Sequence, residues 1–121
     1  MRRIIVVDDN EDILEIIKLI LEGYDYEVIT LADGSLLVDN IKEFKPDLIL
    51  LDVMLGNMDG RELCKVLRSD DETKHIPIIM VSASHNLSDR LMAMGSHIDF
   101  LAKPFDITEL IDKVALSLSA A

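Results

Sequence analysis

Five residues with chemistry to offer follow directly on apolar runs of the chain. Asp8 and Asp9 follow Ile4–Val7, Asp52 follows Leu48–Leu51, Ser82 follows Ile76–Val81, and Lys103 follows Ile98–Ala102. Three carboxylates at close range cannot all stay ionised without a compensating cation. A hard divalent ion such as Mg2+ takes oxygen ligands and keeps positions for water and a phosphate oxygen. Lys103 is a second, opposite pole that would be wasted on a metal and suits a phosphoryl oxygen. The chemistry suggested is phosphoryl transfer with Asp52 as nucleophile, because a carboxylate is an accepted phosphoryl acceptor and needs no base at neutral pH. Mg2+, Lys103 and the Ser82 hydroxyl would then disperse charge on the transferring oxygens. Each residue alone has a simpler use: Asp9 can cap a helix, and a terminal Ser or Lys can be solvated. Only convergence at one rim favours the chemical reading.

The elements that must bring them together can be read from hydrophobic patterning. Short, nearly continuous apolar runs occur at Ile4–Val7, Glu27–Leu31, Leu48–Leu51, Ile76–Val81 and Ile98–Ala102. Continuous rather than alternating runs suit parallel strands buried on both faces. Helical spacing fills the intervals. Ile13, Ile16, Ile17 and Ile20 form one stripe, with Asp9 or Asn10 as N-cap and Gly23 as C-cap. Leu37, Ile41 and Phe44 form a second ahead of Pro46, and Leu63, Cys64 and Leu67 a third. A fourth around Asn86–Met94 is weakened by Ser and Asn. Ile107, Leu110, Ile111, Val114 and Leu118 mark a fifth, with Asp106 or Thr108 near its start.

Five strands alternating with five helices predict a (βα)5 chain, α/β in class: a doubly wound, five-stranded parallel sheet in the flavodoxin-like order 2-1-3-4-5. In such a sheet ligands bind outside the carboxyl ends of the strands, which is where the five polar residues fall. Residues 1–121 read as a single domain, without linker, repeat or low-complexity stretch.

Composition narrows the functions. Half the residues are hydrophobic, and 23 acids against 12 Lys and Arg give a formal charge of −11. That balance argues against a nucleic-acid or anionic-membrane surface. Cys64 is the one cysteine, so neither an intramolecular disulfide nor a multi-cysteine metal site can form. His75, His85 and His97 are irregularly spaced and make a poor ligand set. The run after Arg2 and Arg3 is too short for a signal peptide, and a cytoplasmic protein is expected. Nucleotide binding lacks its glycine-rich phosphate loop in either common form.

Four stretches in order, "VVDDNED", "PDLILLDVMLGNMDG", "PIIMVSAS" and "DFLAKPF", resemble the receiver domain of two-component response regulators. The likeness runs from Arg3 to about Leu118. It implies that Asp52 receives a phosphoryl group from the phosphohistidine of a sensor histidine kinase or histidine phosphotransfer protein. It implies direct Mg2+ ligation by Asp9, Asp52 and the backbone carbonyl of Met54, with Asp8 acting through water. By the same resemblance Ser82 follows the phosphoryl oxygen, Lys103 ion-pairs with the acylphosphate, and the Lys103–Pro104 peptide is cis. Phe100 matches the aromatic that moves inward with Ser82, linking the rim to the face of helix four, strand five and helix five. Met54 and Ser84 flank the site and should tune dephosphorylation.

Three positions depart from the family pattern. Gly56 stands where a loop-stiffening proline is common; Ser96 replaces the usual glycine, with Gly95 one position earlier; and Ile98 replaces the first of a common acid pair. The last change puts one mode of phosphorylation-dependent dimer in doubt.

Three functions follow as expectations. The first is a phosphorylation-dependent switch with no catalytic output of its own. The second is a Mg2+-dependent phosphohydrolase with an Asp nucleophile, against which Met54 stands where that class needs a general acid. The third is a receiver-like adaptor that works without phosphorylation. The chain ends after its fifth helical pattern, which fits a stand-alone regulator or a receiver from a longer protein.

Overall fold

The computed structural model describes residues 1–56, 58–83 and 98–119. Five parallel strands, β1 (Arg3–Val7), β2 (Glu27–Leu31), β3 (Leu48–Asp52), β4 (Ile78–Ser82) and β5 (Ile98–Ala102), form one sheet in the order β2-β1-β3-β4-β5. This is the predicted order. Helices α1 (Glu11–Glu22), α2 (Leu37–Phe44) and α3 (Gly60–Ser69) and a C-terminal helix (Ile107–Ser119) cover it. The predicted helix around Asn86–Met94 lies outside the described residues, as do Ser84, His85, Gly95, Ser96 and His97.

Alternation along each strand divides the core in two. Ile5, Val7, Ile49, Leu51, Ile78 and Met80 point to one face, where α2 and α3 bring Leu37, Ile41, Leu63, Cys64 and Leu67. Ile4, Val6, Leu48, Leu50, Ile79 and Val81 point to the other, against Leu14, Ile17 and Leu21 of α1 and Leu110, Val114 and Leu118 of the C-terminal helix. A strand buried on both faces needs apolar residues at every position, which is why the runs are continuous.

Three local expectations are corrected. The stripe on α1 is centred one residue further round than predicted: Leu14, Ile17 and Leu21 are buried, whereas Ile16 is 55% exposed. The sequence carries two overlapping stripes at helical spacing, and Ile13 and Ile20 sit at the border of the buried one. In the fifth predicted helix, likewise, Ile107 is exposed. Finally, β4 begins at Ile78 rather than Ile76, since Pro77 has no N–H for the ladder and Ile76 closes a turn onto the Thr73 carbonyl.

The caps agree more closely with sequence. Asn10 caps α1, its side chain accepting from the Asp12 and Ile13 amides at 3.0 and 3.2 Å. Gly23 is its C-cap, in right-handed conformation, and the left-handed residue is Asp25, φ 68°. Asp106 Oδ1 accepts from the Glu109 amide at the start of the C-terminal helix.

Candidate functional site

Register brings the acids together. Val7 pairs with Leu51, so Asp8 and Asp52, next along each strand, emerge side by side. Ser82 ends β4 beside them, pairing with Ala102 of β5, and the Lys103 amide donates to the Ser82 carbonyl at 2.8 Å. Asp8, Asp52 and Ser82 are buried, and Asp9 is exposed. The cis Lys103–Pro104 peptide expected from the resemblance is present.

Lys103 spans the two buried carboxylates, with Nζ 3.0 Å from Asp8 Oδ2 and 3.2 Å from Asp52 Oδ2. The remaining oxygens are also engaged. Asp8 Oδ1 accepts the Asn10 amide at 2.9 Å, and Asp52 Oδ1 the Met54 amide at 3.2 Å. Burial and the neighbouring Asp8 charge push the Asp52 carboxyl above its ordinary range, against the pull of Lys103. Burial alone would lower the Lys103 ammonium; its bonds to Asp8 and Asp52 outweigh that and raise it, keeping it charged. One cation thus serves two buried acids, and the site carries surplus negative charge.

One carboxylate oxygen each from Asp8, Asp9 and Asp52 lies within 4.8 Å of the others. Oxygens sharing one Mg2+ lie roughly 3–4 Å apart, and the ion prefers such hard donors. The donor set therefore fits a divalent cation. No other metal-binding group of three or more His, Cys, Asp or Glu occurs among the described residues, and His75 is exposed.

The lip above the site is a short antiparallel ribbon, Met54–Leu55 with Met58–Asp59. Gly56 takes φ +65° at its tip, an angle closed to proline. Its replacement of a family proline is thus a change of loop path, beyond the loss of stiffness read from sequence. The Met54 side chain is 71% exposed at this lip. Phe100 is half-buried on β5, paired with Met80 and packed on the α2–α3 face of the core.

Sequence reasoning missed what holds Asp52 from behind. The Gly60 amide donates to the Val53 carbonyl at 2.8 Å, and a Cβ on Gly60 would fall on the Asp52 backbone carbonyl. Asp59 fixes that approach by capping α3 through the Arg61 amide at 2.9 Å and by binding the Arg61 guanidinium, which holds the Asp59 carboxyl below its usual range. The signal was available in "MDG", an N-cap residue followed by glycine. In the sequence it counted only as part of a family motif, not as support for the acid seven residues earlier.

Known proteins are similar to this chain in sequence and in fold. DNA-binding response regulator MtrA of Mycolicibacterium smegmatis is 36% identical, the match covering 97% of this chain and 50% of MtrA. Response regulator PleD of Caulobacter vibrioides is 39% identical over 93% of this chain and 25% of its own. The chain spans about half the length of the curated relatives first matched. Among solved structures, Vibrio cholerae chemotaxis protein CheY4 superimposes with a TM-score of 0.87 at 29% identity, covering 98% of this chain and 99% of that one. The BeF3-activated N-terminal receiver domain of Klebsiella pneumoniae RstA does so at 0.86 and 28%, covering 97% and 98%. No helix among the described residues is long and apolar enough to cross a membrane. The family model for the response regulator receiver domain matches residues 4–115, and with acids, hydroxyl and lysine gathered at one rim of a β2-β1-β3-β4-β5 sheet, the chain belongs to that family of two-component signalling receivers.

Proposed function

We propose that Asp52 accepts a phosphoryl group from the phosphohistidine of a sensor histidine kinase or histidine phosphotransfer protein. One observation carries this reading. Asp52 is buried beside a second buried acid, with a single lysine bridging both, an arrangement that costs stability and is characteristic of sites kept for chemistry. An Asp52 carboxylate oxygen attacks phosphorus as the P–N bond to the imidazole breaks, and the electron pair leaves on the imidazole nitrogen. The protonated Lys103 turns from the carboxylates to a phosphoryl oxygen, and the Ser82 hydroxyl donates to another.

Asp9, Asp52 and the Met54 carbonyl would hold Mg2+ directly, with Asp8 behind through water. When bound, the ion supplies the positive charge that offsets the clustered acids and the phosphoryl oxygens. Ser82 following the phosphoryl oxygen makes room for Phe100 to turn inward, which alters the face carrying β5 and the C-terminal helix. The output is contact with a partner protein or a linked effector, by way of a phosphorylation-dependent dimer in some assemblies; this domain does not itself bind nucleic acid. A kinase-fed receiver of this kind works in the cytoplasm, and residues 1–121 form its receiver domain. Family membership favours neither the phosphohydrolase nor the adaptor reading.

The test is labelling by a small phosphodonor with Mg2+, followed by intact mass. The wild type gains one phosphoryl group and Asp52→Asn none, with the same circular dichroism. Labelling of the variant at the wild-type rate refutes the assignment. The division of the acid pair has its own measurement: in a Mg2+ titration Asp9→Ala loses more affinity than Asp8→Ala, and equal losses would refute direct ligation by Asp9.

A further inference from the structure

At the end of the sheet opposite Asp52, a cavity of about 400 Å³ opens between α2 and the segment joining α3 to β4. Its floor is apolar and closed, built on Ile41, Pro46 and Ile76, which are buried. Its rim is charged with opposite signs on opposite walls. Lys42 and Lys45 come from α2 and the connection after it, Asp70 and Glu72 from the α3–β4 segment. None of these four side chains enters an ion pair among the described residues, and Asp70 Oδ1 accepts the Glu72 amide at 2.9 Å, which sets the bend of that wall.

The far wall is held in place without a ligand. Arg68 Nη2 donates to the Ile76 carbonyl at 2.8 Å, Thr73 Oγ1 donates to the Leu67 carbonyl at 2.6 Å, and the Ile76 amide closes onto the Thr73 carbonyl at 3.0 Å. A wall fixed in advance loses little freedom when a guest arrives. The near wall holds an unusual residue. Lys45 is the C-cap of α2 and takes φ 53°, the left-handed conformation in which glycine is the default. The sequence keeps an ammonium at the rim where glycine would fit without strain.

We propose that this cavity binds a short zwitterionic peptide of the dipeptide class with aliphatic side chains. Those side chains lie on Ile41, Pro46 and Ile76, the terminal carboxylate meets Lys42 and Lys45, and the terminal ammonium meets Asp70 and Glu72. The charge pattern selects this class: an apolar anion would face the acids, an apolar cation would face the lysines, and a neutral body would leave both walls unpaired. The volume falls within the roughly 300–1,000 Å³ of small-ligand sites. β3 and β4 both begin beside the cavity and end at the rim of Asp52 and Ser82, roughly 13 Å away. The two sites share no side chain.

The experiment is an amide chemical-shift titration of the 15N-labelled chain with the dipeptide Leu-Leu, beside N-acetyl-Leu-Leu-amide as a chargeless control. Saturable shifts are expected at Ile41, Lys45, Thr73 and Ile76, with the blocked peptide weaker by about ten-fold or more. Lys45→Gly relieves the left-handed φ and should raise Tm, leave Asp52 labelling unchanged, and weaken Leu-Leu by about five-fold. Glu72→Gln should weaken it similarly. An absence of saturable shifts, equal affinity for the blocked peptide, or unchanged affinity in Lys45→Gly each overturns the proposal.

Discussion

At the start of the sheet, Arg3 is a charge whose needs are met on every side. Its Nη1 donates to the Phe44 carbonyl at 2.8 Å, its guanidinium lies 5.4 Å from the centre of the Phe44 ring, and its Nε is 3.4 Å from Glu27. Its amide also donates to Asp47 Oδ2 at 2.8 Å. This group too sets one cation against two carboxylates, but its side chains lie partly in solvent. At the other end Asp8 and Asp52 are buried side by side with one lysine between them. Structural charge is solvated; charge kept for chemistry is buried, and at the rim Asp9 adds a third acid against the one lysine. The rim is thus a place where the fold gives up stability, and the opposite end a place where it gains some.

The largest effect expected from this contrast belongs to Asp52→Asn. It abolishes phosphoryl labelling, and in EDTA it should also raise Tm at neutral pH. Burial and Asp8 raise the Asp52 pKa in the fold. Between the unfolded value, about 3.9, and the raised one, the folded chain holds a proton that the unfolded chain has released. Wild-type stability therefore falls as pH rises through that window and stays low above it, whereas the variant lacks this component. The difference in Tm should open with rising pH and vanish toward pH 4. A variant less stable than wild type at pH 7 would mean that the bond to Lys103 outweighs burial.

Gly60→Ala should come next. The added Cβ meets the Asp52 backbone carbonyl rather than a side chain that could turn away. Displacing well-packed backbone costs about 1–3 kcal/mol, and the displaced residue is the proposed acceptor. Loss of stability together with slower labelling is expected in denaturant melts and phosphodonor assays. Lower stability at an unchanged labelling rate would show that the acceptor tolerates movement of its own backbone.

Strand order and the rim acids were legible in sequence because both obey simple rules: continuous apolar runs make two-faced strands, and register carries the residue after each strand to one edge. The phase of α1 was not, since Ile13, Ile16, Ile17 and Ile20 satisfy helical spacing as well as Leu14, Ile17 and Leu21 do. Only the sheet decides which stripe it receives. Nor was the bridge from Lys103 to both Asp8 and Asp52 legible, because it depends on side-chain reach across three strands. Gly60 was hidden for the same reason: its partner is a backbone atom of another element, which leaves no mark on composition or spacing.

The smallest effects should come from the end where charge is solvated. Arg3→Ala removes a hydrogen bond to a helix-terminal carbonyl and a cation–π contact, together worth about 1–2 kcal/mol, and should leave labelling of Asp52 unchanged. Glu27→Gln removes only the ion pair with Arg3. Both side chains of that pair are more than two-fifths exposed, so its contribution should be under about 0.5 kcal/mol and should fade as salt is added. Measured together in low and high salt, the two variants divide Arg3's role. If Arg3 works through the Phe44 carbonyl and ring, its loss persists in high salt while that of Glu27 disappears. If both fade alike, the anchor at this end is electrostatic after all, and the two ends of the sheet differ only in burial.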